Sequence, residues 1–217
     1  MLVAFDLDGT LVDPKEGIVA CIEYALDRLS VESPDAAELA RHIGPSLHDT
    51  FRALLDTQDE AQVLKAVSFY RERFAVSGIY ENTVYPGIPE ALDALRGAGM
   101  TLYVVTSKPT NYARKIIQQF ELAASFRKII GGEMDGRRSD KEDLIGKLLR
   151  SELVGPADLV MVGDRKHDVL GARKHAVRSV GVLWGYGTYE ELEQAGAEWY
   201  CRTPADLPEL LIEQVAR

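Results

Sequence analysis

Short uninterrupted apolar runs, separated by longer amphipathic stretches, constrain this chain most. Residues 2–6, Leu2-Val3-Ala4-Phe5-Asp6, show no polar alternation before the aspartate. A run of that kind reads as a strand buried on both faces, as in a parallel sheet. The pattern returns at 100–105, 128–130, 159–162 and 179–183, and more weakly at Trp199-Tyr200-Cys201. Helical patterns fill the intervals at 88–97, 110–121, 140–151, 166–175, 188–195 and 204–216. The last opens on Thr203-Pro204, a cap residue with proline at the first helical position. Strand alternating with helix predicts βαβ units, right-handed crossovers and an α/β, doubly wound, parallel Rossmann-like sheet.

One stretch breaks the alternation. Residues 15–80 hold no strand pattern, only amphipathic helical patterns at 16–30, 35–41, 46–56 and 59–77. The expected organisation is an α/β domain of 1–14 and 81–217, carrying a smaller all-helical domain of 15–80. With 217 residues and 46% apolar side chains, the chain has enough material for both.

A formal charge of −9 repels phosphate backbones and anionic lipid heads, so neither nucleic acid nor membrane is an expected partner. The same charge means that any phosphate site needs local positive charge. Cys21 and Cys201 sit among apolar residues and read as two free thiols in a reducing compartment. No basic leader or membrane-length apolar segment appears, so the expected setting is cytoplasmic, as a monomer or homodimer.

Four clusters carry chemistry. The first strand ends in Asp6-Leu7-Asp8-Gly9-Thr10, which brings two carboxylates together where open α/β sheets bind ligands. Neighbouring anions there call for a cation or a shared proton. A second strand end reads Gly163-Asp164-Arg165-Lys166-His167-Asp168. The spacing of Asp164 and Asp168 places both on one face of a starting helix, suited either to an oxygen-liganded cation such as Mg²⁺ or to complementing the helix dipole. Thr106-Ser107-Lys108-Pro109 offers hydroxyls before a helix, either for phosphate oxygens or as an ordinary cap. Lys141 opens a helix against the dipole, a placement that a binding role would explain. Arg137-Arg138 reads as a solvated basic pair in a loop.

In this order along the chain, the four clusters resemble the haloacid dehalogenase superfamily. Tyr85-Pro86-Gly87, Thr106-Ser107-Lys108-Pro109 and Gly181-Val182-Leu183-Trp184-Gly185-Tyr186-Gly187 resemble its phosphoglycolate phosphatase-like branch. The helical insertion is similar to the family's cap. Two positions depart from the usual pattern: Glu142 stands where proline is common, and His175-Ala176 where a glycine turn is often found.

The resemblance implies roles. Asp6 is the nucleophile and becomes an aspartyl phosphate, while Asp8 is the general acid and then the base. Mg²⁺ is held by Asp6, the Asp8 carbonyl and Asp164, with Asp168 orienting its water. Thr106, Ser107 and Lys141 bind the phosphoryl oxygens. The reaction implied is Mg²⁺-dependent hydrolysis of a small phosphorylated metabolite, with phosphoglycolate, a sugar phosphate or a 5′-nucleotide as candidates. Arg41 and His42, in a loop of the insertion, are read either as substrate contacts or as part of an interhelical turn. A phosphomutase of the β-phosphoglucomutase type uses the same residues, and a non-catalytic binding protein on this fold is the reading from another class.

Overall fold

The computed structural model describes residues 1–134 and 138–215. The chain opens with β1 (Leu2–Phe5) and a two-residue strand, β2 (Val12–Asp13). Four helices follow: α1 (Lys15–Arg28), α2 (Ala36–Ala40), α3 (Leu47–Leu54) and α4 (Glu60–Arg73). After β3 (Thr83–Val84) the expected alternation appears: α5 (Ile88–Gly97), β4 (Thr101–Pro109), α6 (Thr110–Gln119), β5 (Lys128–Gly132) and α7 (Lys141–Glu152). It continues through β6 (Leu159–Gly163), α8 (Lys166–Lys174), β7 (Arg178–Val182), α9 (Tyr189–Ala195), β8 (Trp199–Cys201) and α10 (Leu207–Leu210).

The chain forms two compact units, Met1–Asp13 with Val84–Arg217, and Pro14–Thr83. In the first, six parallel strands lie in the order β5-β4-β1-β6-β7-β8. The chain winds outward from β1 to one side through β4 and β5, then returns to the other side at β6. The strand order therefore reverses beside β1, and the crevice outside the carboxyl ends of the strands at such a point is where open α/β sheets bind ligands.

Each face of the sheet is apolar. Ala4, Tyr103, Val105 and Met161 share one face with Leu144, Ile145 and Leu148 of α7 and Ala172 of α8. Phe5, on the opposite face by alternation, meets Phe126 edge-on with ring centroids 6.3 Å apart. Among the described residues no helix is long and apolar enough to cross a membrane. Both cysteines are buried, and among the described residues neither is in a disulfide.

The helical unit has its own core. Phe51 meets Tyr70 edge-on, and Tyr70 stacks on Phe74 at 5.6 Å. Three of its helices, α2, α3 and α4, start on side-chain caps: Asp35 accepts from the N–H groups of Ala37 and Glu38, Ser46 from Asp49, and Asp59 from Ala61.

One expected helix differs. The stretch 204–216 is a 3₁₀ turn at Pro204–Asp206, then α10, then a wider π turn at Leu211–Val215, with residue 216 outside the described part. Pro208 has no N–H to give the Pro204 carbonyl, so an α-helix starting at 204 lacks one of its first bonds. Leu207 bonds that carbonyl instead, in the tighter 3₁₀ pattern.

Candidate active site

Strand register assembles the site. Phe5 pairs with Val104 on one side and Val162 on the other. Asp6 is therefore level with Val105 and Gly163, and its N–H donates to the Val162 carbonyl at 2.9 Å. Two residues beyond Ala4, Asp6 points to the face that α7 and α8 cover. Lys141 is the first residue of α7, and Asp168 lies in the first turn of α8.

Lys141 Nζ lies 2.8 Å from Asp6 Oδ1 and 2.5 Å from Asp168 Oδ1, and it donates to the Val105 carbonyl at 2.8 Å. The ammonium is thus held by two ion pairs and one hydrogen bond. Burial opposes the charge on Lys141, but Asp168 and Asp6 more than offset it, and its pKa moves up.

Asp6, Asp164 and Asp168 are buried, and one carboxylate oxygen from each lies within 4.8 Å of the others. Burial, with Asp168 and Asp6 adding to it, pushes the Asp164 carboxyl up to about 8. Asp168 also rises through burial, although Lys141 opposes that rise. Three hard oxygen donors with more negative charge than one lysine offsets fit a small divalent cation such as Mg²⁺.

The loop after β1 is held against this cluster. Gly9 has φ +81°, and a Cβ there would strike the Asp164 carboxylate. Thr10 Oγ1 donates to Asp164 Oδ1 at 3.3 Å, and the Tyr186 N–H donates to Asp164 Oδ2 at 2.8 Å.

The remaining expected residues fall into two places. Thr106 is buried near the end of β4, its Oγ1 accepting from the Lys108 N–H at 3.2 Å, and half-buried Ser107 follows at a bulge in the strand. Asp8 stands apart from the three clustered carboxylates. Its oxygens lie 2.6 and 2.9 Å from Lys108 Nζ. Burial raises the Asp8 carboxyl, with Lys108 opposing. Arg41 and His42 close α2 within the helical unit. Arg41 is exposed and caps the helix end, and the His42 carbonyl accepts from Thr50 Oγ1 at 3.4 Å. Arg138 is exposed and pairs with Glu133 at 3.1 Å, whereas Arg137 lies outside the described residues.

Sequence reasoning assigned no role to Lys108, Thr10, Tyr186 or Glu191. Glu191 grips the loop between Asp164 and Asp168, accepting from Arg165 Nε and the Lys166 N–H, both at 2.9 Å. The signal available for Lys108 was register: β1 and β4 are neighbours, so the residues just past Phe5 and just past Val104 emerge side by side.

Residues 3–182 match the haloacid dehalogenase-like hydrolases. A 5′-nucleotidase of Pseudomonas aeruginosa is 47% identical over 209 residues, which cover 96% of this chain and 94% of the relative. The tyrosine-protein kinase PtkA of Mycobacterium tuberculosis is 40% identical over 194 residues, 89% of this chain but 65% of the relative. A crystal structure of a predicted phosphatase from Clostridium acetobutylicum superposes with a TM-score of 0.94 at 39% identity, covering 98% of each chain.

Proposed function

Because this chain belongs to the haloacid dehalogenase-like hydrolases and is a phosphoric monoester hydrolase of that family, we propose that it cleaves a small phosphomonoester through a phosphorylated Asp6, with Mg²⁺ as cofactor. The observation that carries this reading is the buried group of Asp6, Asp164, Asp168 and Lys141 at the strand-order reversal, with Asp8 beside it on the same loop as Asp6.

Asp6 attacks phosphorus, and the Asp6–phosphorus bond forms as the ester P–O bond breaks. Asp8 gives its proton to the departing alkoxide. It then takes a proton from the water that attacks the phosphorylated Asp6, which releases inorganic phosphate, frees the Asp6 carboxylate and returns Asp8 to its protonated form. In the resting arrangement Asp8 is tied to Lys108, so it must leave that pair to work on the leaving group. Thr106, Ser107 and Lys141 hold the phosphoryl oxygens, and Lys141 also keeps Asp6 oriented for in-line attack. A bound Mg²⁺, with Asp6, the Asp8 carbonyl and Asp164 as its protein ligands and Asp168 orienting its water, supplies positive charge against the phosphoryl oxygens. Arg41 and His42 of the helical unit are the proposed contacts for the part of the substrate that is not transferred.

The substrate we favour is a 5′-nucleotide, on the strength of the Pseudomonas aeruginosa relative's name and the near-complete alignment with it. Phosphoglycolate and sugar phosphates are the other candidates. The test is phosphate release with Mg²⁺ from 5′-nucleotides, phosphoglycolate and sugar phosphates, with sugar phosphate isomerisation followed in parallel. We expect nucleotides to head the panel, and Asp6→Asn to lose at least about 10³-fold in kcat/KM while keeping its fold. Hydrolysis that persists in Asp6→Asn overturns the mechanism. Isomerisation outpacing phosphate release makes the enzyme a mutase.

A further inference from the structure

The segment Trp184-Gly185-Tyr186-Gly187, between β7 and α9, has no part in the chemistry above, yet it is pressed into the site from one side. The Trp184 Nε1–H donates to the Thr10 carbonyl at 3.0 Å, on the loop that follows the nucleophile. A Cβ on Gly185 would strike the Gly9 carbonyl and the Asp164 side chain, and one on Gly187 would strike the Asp164 carbonyl. Neither glycine has a positive φ, so what these positions require is space for backbone against backbone.

Between the two glycines, Tyr186 does two things. Its N–H donates to Asp164 Oδ2 at 2.8 Å. Its hydroxyl donates to Asp13 Oδ1. A backbone N–H cannot swing independently of its chain. Whatever fixes the Tyr186 main chain therefore fixes Asp164 Oδ2, while Thr10 restrains the other oxygen from the opposite loop.

We propose that Tyr186 is a positioning residue for the cation site: its hydroxyl, anchored on Asp13, holds the backbone N–H that sets the Asp164 carboxylate in place for a divalent ion. This rests on the reading of Asp164 as a cation ligand. The physical need is clear from the charges. Three buried carboxylates repel one another, and an unrestrained Asp164 would turn away and have to be ordered again on binding. Groups that orient a metal ligand from outside the coordination sphere affect metal affinity strongly for this reason.

The test is direct calorimetric titration of the full chain with Mg²⁺, without substrate. Tyr186→Phe keeps every charge and the N–H, and removes only the anchor. It is expected to weaken Mg²⁺ binding by roughly three- to tenfold. Asp13→Ala, which removes the acceptor, should do the same, and the double variant should bind no more weakly than the weaker single one, since both cut one link. Tyr189→Phe, which removes an exposed hydroxyl on Glu193, should bind as the wild type does.

A folded Tyr186→Phe with wild-type Mg²⁺ affinity overturns the proposal, as do additive effects in the double variant. If Tyr186→Phe does not fold, unchanged affinity in Asp13→Ala is decisive in the same way. A wild-type protein that takes up no Mg²⁺ fails at the cation reading itself, whereas wild-type binding with unaltered variants fails only here.

Discussion

The two units of this chain treat charge in opposite ways. In the helical unit the ion pairs lie at the rim: Arg28 with Glu72 at 3.2 Å, Arg52 with Glu60 at 2.8 Å, and Arg73 with Glu81 at 2.7 Å. Its interior is aromatic and aliphatic, and α2, α3 and α4 begin on side-chain caps. In the α/β unit, Asp6, Lys141, Asp164 and Asp168 are all at least nine-tenths buried at one end of the sheet. Buried charges of this kind cost desolvation energy that their mutual attraction only partly returns. The contrast separates a unit whose sequence serves packing from one whose sequence tolerates unfavourable placement to keep a reactive site.

The largest break in that contrast is at Lys141. Lys141→Met leaves Asp6 and Asp168 buried without their shared cation. We expect a loss of about 3 kcal/mol in urea unfolding of the metal-free protein. Mg²⁺ should restore part of this loss, because a ligand bound only by the folded state stabilises it by mass action. An unaltered unfolding midpoint would mean that the buried cluster carries no such dependence.

That cluster was legible in the sequence to an uneven degree. Asp6, Lys141, Asp164 and Asp168 each stand at a strand end or helix start that hydrophobic runs locate, so, with the family resemblance supplying their roles, their positions emerged from the sequence. The partners of these residues did not. Register sets the ends of β1 and β4 side by side, but Lys108 lies on the stretch of β4 that runs on to Pro109 through a bulge, and a bulge leaves no mark in the apolar pattern. Lys141 was expected to bind phosphate oxygens, and its ion pairs with Asp6 and Asp168 and its bond to the Val105 carbonyl are contacts that only coordinates provide. Tyr186 acts on Asp164 through its backbone N–H, a group every residue but proline possesses. The break at Pro208 was readable in principle, since a second proline four residues after the first removes a helical bond.

A smaller test falls on the helical unit, where caps replace buried charge as the local determinant. Asp35 alone receives two N–H groups at the start of α2, at 2.9 and 2.8 Å. Asp35→Ala should cost about 1 kcal/mol in the same unfolding experiment. Because Asp35 touches nothing of the carboxylate cluster, phosphatase activity and Mg²⁺ affinity should stay at wild-type values. A fall in either would show that the contrast between the units is less complete than their charges suggest.

The smallest expected effect sits away from the site but within the α/β unit. Helix α8 ends in a Schellman arrangement: the Val177 N–H bonds the Ala172 carbonyl, and the Ala176 N–H bonds that of Arg173, both at 3.0 Å. The residue this motif places in the left-handed region is normally glycine, and α9 ends that way at Gly196 with φ +90°. Here Ala176 takes the position with φ +54°, which explains how the chain can depart from the usual glycine turn without losing the turn itself. The departure has an energetic consequence, since a Cβ in that region crowds the neighbouring carbonyl. Ala176→Gly should therefore raise stability by about 0.5–1 kcal/mol, the relief of crowding exceeding the added freedom of the unfolded chain. α8 also carries Asp168 at its other end, so the same variant tests whether strain at the helix terminus reaches the site. With the bonding pattern preserved, Mg²⁺ affinity should not move. A stabilised Ala176→Gly with weakened Mg²⁺ binding would show that the left-handed alanine helps set the position of Asp168.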